Sequence, residues 1–157
     1  VATGRRPNTA EIGLETIGLA TDRGFLRVND RMETAVKGYY CIGDANGRCL
    51  LAHAASAHGV AAVENALGQH PAVHECAVFG VPDDKWGEAV HAAVQLREGC
   101  QAQAAELIAF VREKLGPVQT PKQIHFHTSL PRSTVGKVLK NTVRDHALAA
   151  LQPGDPA

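Results

Sequence analysis

Aromatic residues are scarce in this chain. One Trp, two Tyr and four Phe make up 4% of its 157 residues, so any core must rest on Val, Leu, Ile and Ala. Net charge is also missing: 16 Lys and Arg face 16 Asp and Glu. That balance gives no electrostatic case for nucleic acid or an anionic membrane. No apolar run approaches the roughly 18 residues of a membrane-spanning helix, and no stretch reads as a signal peptide. The four cysteines, Cys41, Cys49, Cys76 and Cys100, form no C-x-x-C pair and match no zinc spacing. They read as reduced thiols of a cytoplasmic protein, and no metal is expected. No G-x-G-x-x-G occurs, so no loop of that type cradles a dinucleotide phosphate. What remains, 45% hydrophobic and 20% charged, is ordinary for a globular chain.

The stretch Leu50 to His70 reads as one long helix, with apolar or small residues at Ala52, Ala55, Ser56, Gly59, Val60, Val63 and Leu67. Gly59 in mid-helix suggests a close backbone approach on its side. Ahead of this helix, Val1 opens in what reads as mid-strand, as a fragment would. The turn GRRPN follows, then one or two helical turns over Ile12 to Gly18. Phe25 to Val28 and Tyr39 to Ile42 read as strands, each entered through a glycine, Gly24 and Gly38. Asp44, next to Gly43 at a strand end and ahead of a helix, suits a hydroxyl or phosphate-linked group of a nucleotide; a turn or helix-cap role fits equally.

After the helix the pattern changes. Glu75 to Val81 is an apolar run, buried on both sides if it is a central strand. Ala89 to Leu96 alternates, with Val90, Ala92, Val94 and Leu96 on one face. Ala104, Leu107, Ile108, Val111 and Leu115 make the stripe of an amphipathic helix that Gly116-Pro117 stops. Lys122 to Thr128 alternates, with Ile124 and Phe126 inward. Val138 to Leu151 is a last helix buried through Leu139, Val143, Ala147 and Ala150, and residues 152–157 read as a disordered tail. The expected fold class is α+β, a small sheet with packed helices. Within Leu130 to Lys140, LPRSTVGKVLK, Gly136 would let the backbone approach a ligand and Lys137 would bring a point charge to a phosphate or carboxylate. Lys140 and Arg144 continue that face at helical spacing. A solvated basic face is the plainer reading of these residues. The loop is no Walker A motif, because Pro131 and Val138 stand where Gly and Ser or Thr are needed.

Two resemblances follow from these motifs. VATGRRPNT, GLETIGL, T-x-V-K-G-Y-Y-C-I-G-D and LLAHAASAHGVAAVEN, in that order, resemble the flavin-dependent pyridine nucleotide–disulfide oxidoreductases, in their dihydrolipoamide dehydrogenase branch. The resemblance covers residues 1–65 and implies a partial α/β segment. It places Gly4 by the nicotinamide nucleotide of NAD and Asp44 at the ribityl–phosphate region of FAD. Leu50, Leu51, Ala52 and His53 would line the flavin, at a helix N-terminus that stabilises developing negative charge. His58 departs from the family, where a Glu is usual, and the redox cysteine pair and the interface domain have no counterpart here.

HPAVHECAVFGVPDDKWGEAVHAAVQL and ELIAFVREKLGPVQTPKQIHFHTSLPRSTVGKVLKNTVR resemble the C-terminal domain of adenylate-forming acyl-CoA synthetases, over residues 66–151. The resemblance implies that Lys137 bridges the acid and the α-phosphate during adenylation. It also implies that Trp86, Gly87 and Glu88 face the thioester-forming site, with Gly87 leaving room for the pantetheine arm. Ser133 and Val135 depart mildly from the family's P-[RK]-T-x-[ST]-G-K. No stretch supplies the large AMP-binding domain, which becomes the expected partner, in trans or elsewhere in a longer protein.

The sequence VAAVENALGQHPAV satisfies both families, which places the junction between Val60 and Leu67. A natural recombination, an engineered or computed join and a misassembled reading frame each leave this trace. The expected role is the lid domain of an acid–CoA ligase, inactive alone. ATP or AMP and CoA are implied by the second half and FAD and NAD by the first, with none retained in the isolated chain. The alternatives are a residual FAD-binding segment and a non-catalytic scaffold. Strands cut from a larger parallel sheet would leave free edges that invite self-association.

Overall fold

The computed structural model describes residue 4 and residues 6–85 and 87–151. The chain divides into two compact units between Ala62 and Val63. The division falls inside helix α1, Ala52–Gly68. Val1 to Thr3, Trp86 and the tail 152–157 lie outside the described residues.

The second unit is an α+β layer. Its order after α1 is β1 (Val73–Asp83), β2 (Gly87–Leu96), α2 (Ala104–Leu115), β3 (Gln123–Phe126) and α3 (Lys140–Leu151). The three strands form one sheet in the order β1-β2-β3. β1 and β2 make an antiparallel hairpin, with Cys76 opposite Val94 and Asp83 opposite Gly87. β3 runs parallel to β2, with Ala92 opposite Ile124. β2 is therefore the central strand, and it is buried on both faces: Ala89, His91 and Ala93 on one, Ala92 and Val94 on the other. On the first face Ala77, Phe79, Val81 and Ala93 pack with Leu130 and with Val143 and Ala147 of α3. α2 packs against β3 and buries Leu107 and Val111 completely. Its ends follow local chemistry. Gln103 and Glu106 form a reciprocal capping box, and Gly116 terminates the helix at φ 77°.

Three expectations fail in this unit for one reason, the shortness of the elements. Phe126 shares the parity of Ile124, yet it is 45% exposed while Ile124 is buried. β3 is a four-residue edge strand that ends at Phe126, so its last face position is only partly covered. Leu139 is 41% exposed because it still belongs to the preceding loop, where its N–H donates to Pro131 O at 2.9 Å. Ala150 is exposed in the last turn of α3.

The first unit has no strand ladder among its described residues. Phe25 to Val28 and Tyr39 to Ile42 were expected as strands; each contributes one end of an isolated bridge, Asp22 to Phe25 and Glu33 to Tyr40. Parallel strands need neighbours on both sides, and here the backbone groups turn locally instead. Asp22 and Phe25 exchange both main-chain hydrogen bonds, at 2.8 and 2.9 Å. Two short 3₁₀ turns, Leu14–Ile17 and Gly43–Asn46, complete the unit. Its centre is a buried polar side chain, Asn46. Its amide donates to Cys41 O at 3.1 Å, and its carbonyl accepts from Arg48 N–H at 2.9 Å. The close helix approach expected at Gly59 falls at another glycine. A Cβ on Gly59 would meet Ile42 Cδ1 at an ordinary 3.7 Å, whereas one on Gly43 would stand 3.2 Å from Ala55 Cβ.

Candidate functional site

The loop between β3 and α3 carries the most developed geometry. Arg132 and Val138 pair as an antiparallel bridge. Within them Ser133 N–H donates to Lys137 O at 2.8 Å and Gly136 N–H to Ser133 O at 2.9 Å. This is the pattern of a three-residue hairpin loop closed by a left-handed residue, and Gly136 supplies it at φ 82°. A Cβ at Gly136 would meet no atom within 4 Å, so the glycine is there for its dihedral angles and not for lack of room. Ser133 Oγ also accepts the Lys137 N–H at 3.2 Å. Lys137 is thus held by its backbone while its side chain is exposed.

The three cations of this face are not equivalent. Lys140 Nζ lies 2.6 Å from Glu64 Oε1. Arg144 lies 3.8 Å from Glu88 Oε1, which joins one expected phosphate-facing residue to one residue of the expected thioester loop. Lys137 has no carboxylate partner among the described residues. Apolar side chains flank it, with Val135 87% exposed at the loop tip and Leu139 half-exposed behind it. Gly87 closes the β1–β2 hairpin at φ 75° with open space around it, Glu88 is exposed beside it, and Trp86 lies outside the described residues.

The residues expected at FAD and NAD sit in the first unit. Gly4 is exposed and has open space where a side chain would be. Asp44 is half-buried in the Gly43–Asn46 turn, and Leu50 is half-buried just ahead of α1. Leu51, Ala52 and His53 are exposed at the start of α1. His58 Nδ1 accepts the Gly43 N–H at 3.4 Å, with Asn46 Nδ2 also 3.4 Å away. Among the described residues no strand ladder surrounds them, and the sequence holds no G-x-G-x-x-G loop to offer N–H groups to a phosphate.

Two family models match this one chain, in its two parts. The AMP-binding enzyme C-terminal domain family matches residues 62–137. The pyridine nucleotide-disulphide oxidoreductase family matches residues 1–59. The acetyl-coenzyme A synthetase of Methanothrix soehngenii is 37% identical over 131 residues, which are 80% of this chain and 19% of that protein. That alignment is longer than the second unit and so continues upstream into the first. The dihydrolipoyl dehydrogenase of Synechocystis is 52% identical over 75 residues, 44% of this chain and 16% of that protein. Among solved structures, the amide bond synthetase McbA of Marinactinospora thermotolerans superposes with TM-score 0.54 at 40% identity, covering 55% of this chain and 18% of that one. An acyl-CoA synthetase of Brucella canis gives 0.53 at 39% identity, covering 57% and 17%. The second unit is therefore an acyl-CoA synthetase-like C-terminal domain. The chain spans about a fifth of the length of the synthetases it matches. The full-length families use ATP and CoA on one side and FAD and NAD on the other. No helix among the described residues is long and apolar enough to cross a membrane.

Sequence reasoning missed two features. Arg132 donates to Gly136 O at 2.7 Å and pairs with Glu75 of β1. His91 Nδ1 and His125 Nε2 lie 3.1 Å apart, with their rings stacked at 5.3 Å. Burial holds both histidines below the ordinary value of 6.5. For His91 the Asp83 charge works against this, and for His125 the charges of His91 and His127 add to it. Among the described residues no cluster of three or more His, Cys, Asp or Glu is placed to hold a metal. Burial, with the Glu64 charge, pushes the Cys76 thiol up to about 12, which disfavours its thiolate.

Proposed function

We propose that the second unit is the lid of an acid–CoA ligase and supplies Lys137 to a large AMP-binding domain, the chain being inactive by itself. The observation that carries this reading is the contrast among three cations: Lys140 and Arg144 face carboxylates, while Lys137 projects from a hydrogen-bonded loop with none. A cation brought to a site by a defined backbone, and not neutralised on the way, stabilises charge that builds at a phosphorus centre. In adenylation the acid's carboxylate oxygen bonds to the α-phosphorus of ATP and pyrophosphate leaves. Lys137 would offset the charge on the acid and the α-phosphate oxygens. In the second step the CoA sulfur attacks the acyl carbon and AMP leaves, with Trp86, Gly87 and Glu88 facing that step. The exposed apolar pair Val135 and Leu139 would be covered by the large domain. Reduced thiols fit a cytoplasmic setting.

The test is to mix the chain with the large domain of the Methanothrix soehngenii acetyl-coenzyme A synthetase, freed of its own C-terminal domain, and with ATP and acetate. Pyrophosphate release above that of the large domain alone is expected. Equal release refutes the reading.

A further inference from the structure

We infer that Arg132 is the positioning residue of Lys137, a strut that fixes the lysine loop to strand β1. This rests on the role proposed for Lys137. The guanidinium bonds in two directions. One amino group donates to Gly136 O at 2.7 Å, on the residue before the lysine, and the other pairs with the Glu75 carboxylate. Glu75 lies in the β1–β2 ladder opposite Gln95, beside a register shift after Val73, so its backbone belongs to the sheet. The tip of the loop is open to solvent. Its residues Thr134 and Val135 are exposed, and Gly136 holds a left-handed conformation that glycine exchanges for others at little cost. The hairpin bonds close the loop on itself, and Leu130 and Val138 seat its two ends on the apolar cluster of the sheet. Arg132 adds the polar tie from the loop tip to β1, across 57 residues of sequence.

The planar fork of arginine is what the geometry needs, since one rigid group reaches two acceptors at once. A lysine at 132 is a point donor and can satisfy one of them. A carboxylate at 132 cannot donate to Gly136 O, so exchanging the charges (Arg132→Glu with Glu75→Arg) restores the ion pair but not the strut. A purely structural ion pair would be rescued by that exchange; a positioning residue would not.

The experiment has two arms. In the first, ¹⁵N relaxation on the full chain reads the order of residues 134–137. Order parameters near about 0.85 are expected in the parent chain, and below about 0.6 in Arg132→Ala and in the charge exchange. Arg132→Lys should fall between, and the β1 and β2 amides should be unchanged. Glu75→Gln, which leaves the fold's apolar contacts intact, should give a smaller drop and serves if Arg132→Ala fails to fold. Order unchanged in these variants, or fully recovered by the charge exchange, overturns the inference. In the second arm, pyrophosphate release with the separate large domain should show kcat down at least tenfold in Arg132→Ala, with KM for ATP within twofold. A KM effect alone contradicts positioning. If Lys137→Ala leaves that release unchanged, the role of Lys137 has failed, and the relaxation arm still decides the strut.

Discussion

Glu64 on α1 serves two partners at once. Its Oε1 accepts the Val78 N–H of strand β1 at 2.8 Å and lies 2.6 Å from Lys140 Nζ at the start of α3. β1 is an edge strand, and an unpaired N–H there is costly when buried. Val78 is fully buried, so the first contact matters more than the second, which is half-exposed and screened by solvent. Glu64→Ala should cost the second unit about 1–3 kcal/mol, the price of an unsatisfied buried donor. Glu64→Gln keeps an acceptor and should cost no more than about 1 kcal/mol. Urea unfolding followed by circular dichroism separates the two, and equal losses would put the weight on the ion pair instead.

The histidine pair makes stability depend on pH. His91 and His125 have folded values below 6.5, so the unfolded chain binds more protons as pH falls through that value. The second unit should be at full stability above about pH 7 and lose it progressively below 6.5. The loss should level off once both folded values are passed. Replacing both histidines with Asn should flatten the profile. Thermal melts between pH 5 and 8 check this, and a parent chain more stable at pH 5 than at 7.5 would reverse the sign.

Gly136→Ala should fold, because a methyl there meets nothing within 4 Å. It should nevertheless strain the left-handed turn by roughly 1–2 kcal/mol. The loop is therefore expected to open while α3 and the sheet stay intact. Chemical-shift changes confined to residues 132–139 would support this, and shifts spread through β1 would not.

Order should differ between the two units. Residues Ala66 to Leu151 carry a strand ladder, a capped helix and a shared apolar cluster. Among its described residues the stretch to Met32 carries one isolated bridge, Asp22 to Phe25, and three non-glycine residues at positive φ, Glu11, Arg23 and Met32. Such residues cost of order 1–3 kcal/mol each. Native-state hydrogen exchange should find the slow amides in β2 and α2 and the fast ones before Val28. The opposite order would overturn this.

What the sequence made legible was local. The helix expected from Ala104 and its stripe spans Ala104–Leu115, because five apolar positions, a capping box and Gly116 act within one segment. β2 was readable from the alternation of Val90, Ala92, Val94 and Leu96, but its hairpin pairing was not, since β1 read only as an apolar run and proves to be an edge strand. The strands expected at Phe25 and Tyr39 were not formed, because a strand's propensity is local but its partner is not. The lysine loop was marked by its composition. Its strut was not, since Arg132 and Glu75 are 57 residues apart and each reads alone as a surface charge. His91 and His125 meet only through the parallel pairing of β2 with β3, which no periodicity announces.

On the proposed reading Lys137, and not its neighbours on the same face, is the cation delivered to the adenylation site. The most direct measurement is pyrophosphate release by the large-domain mixture with Lys137→Ala, Lys140→Ala and Arg144→Ala compared at equal concentration. Lys137→Ala should reduce the gain by about 10²- to 10³-fold, as loss of one aligned charge in such a site does. Lys140→Ala and Arg144→Ala, whose charges face Glu64 and Glu88, should keep most of it. A Lys137→Ala chain as active as the parent, or an Arg144→Ala chain as inactive as Lys137→Ala, would contradict that reading.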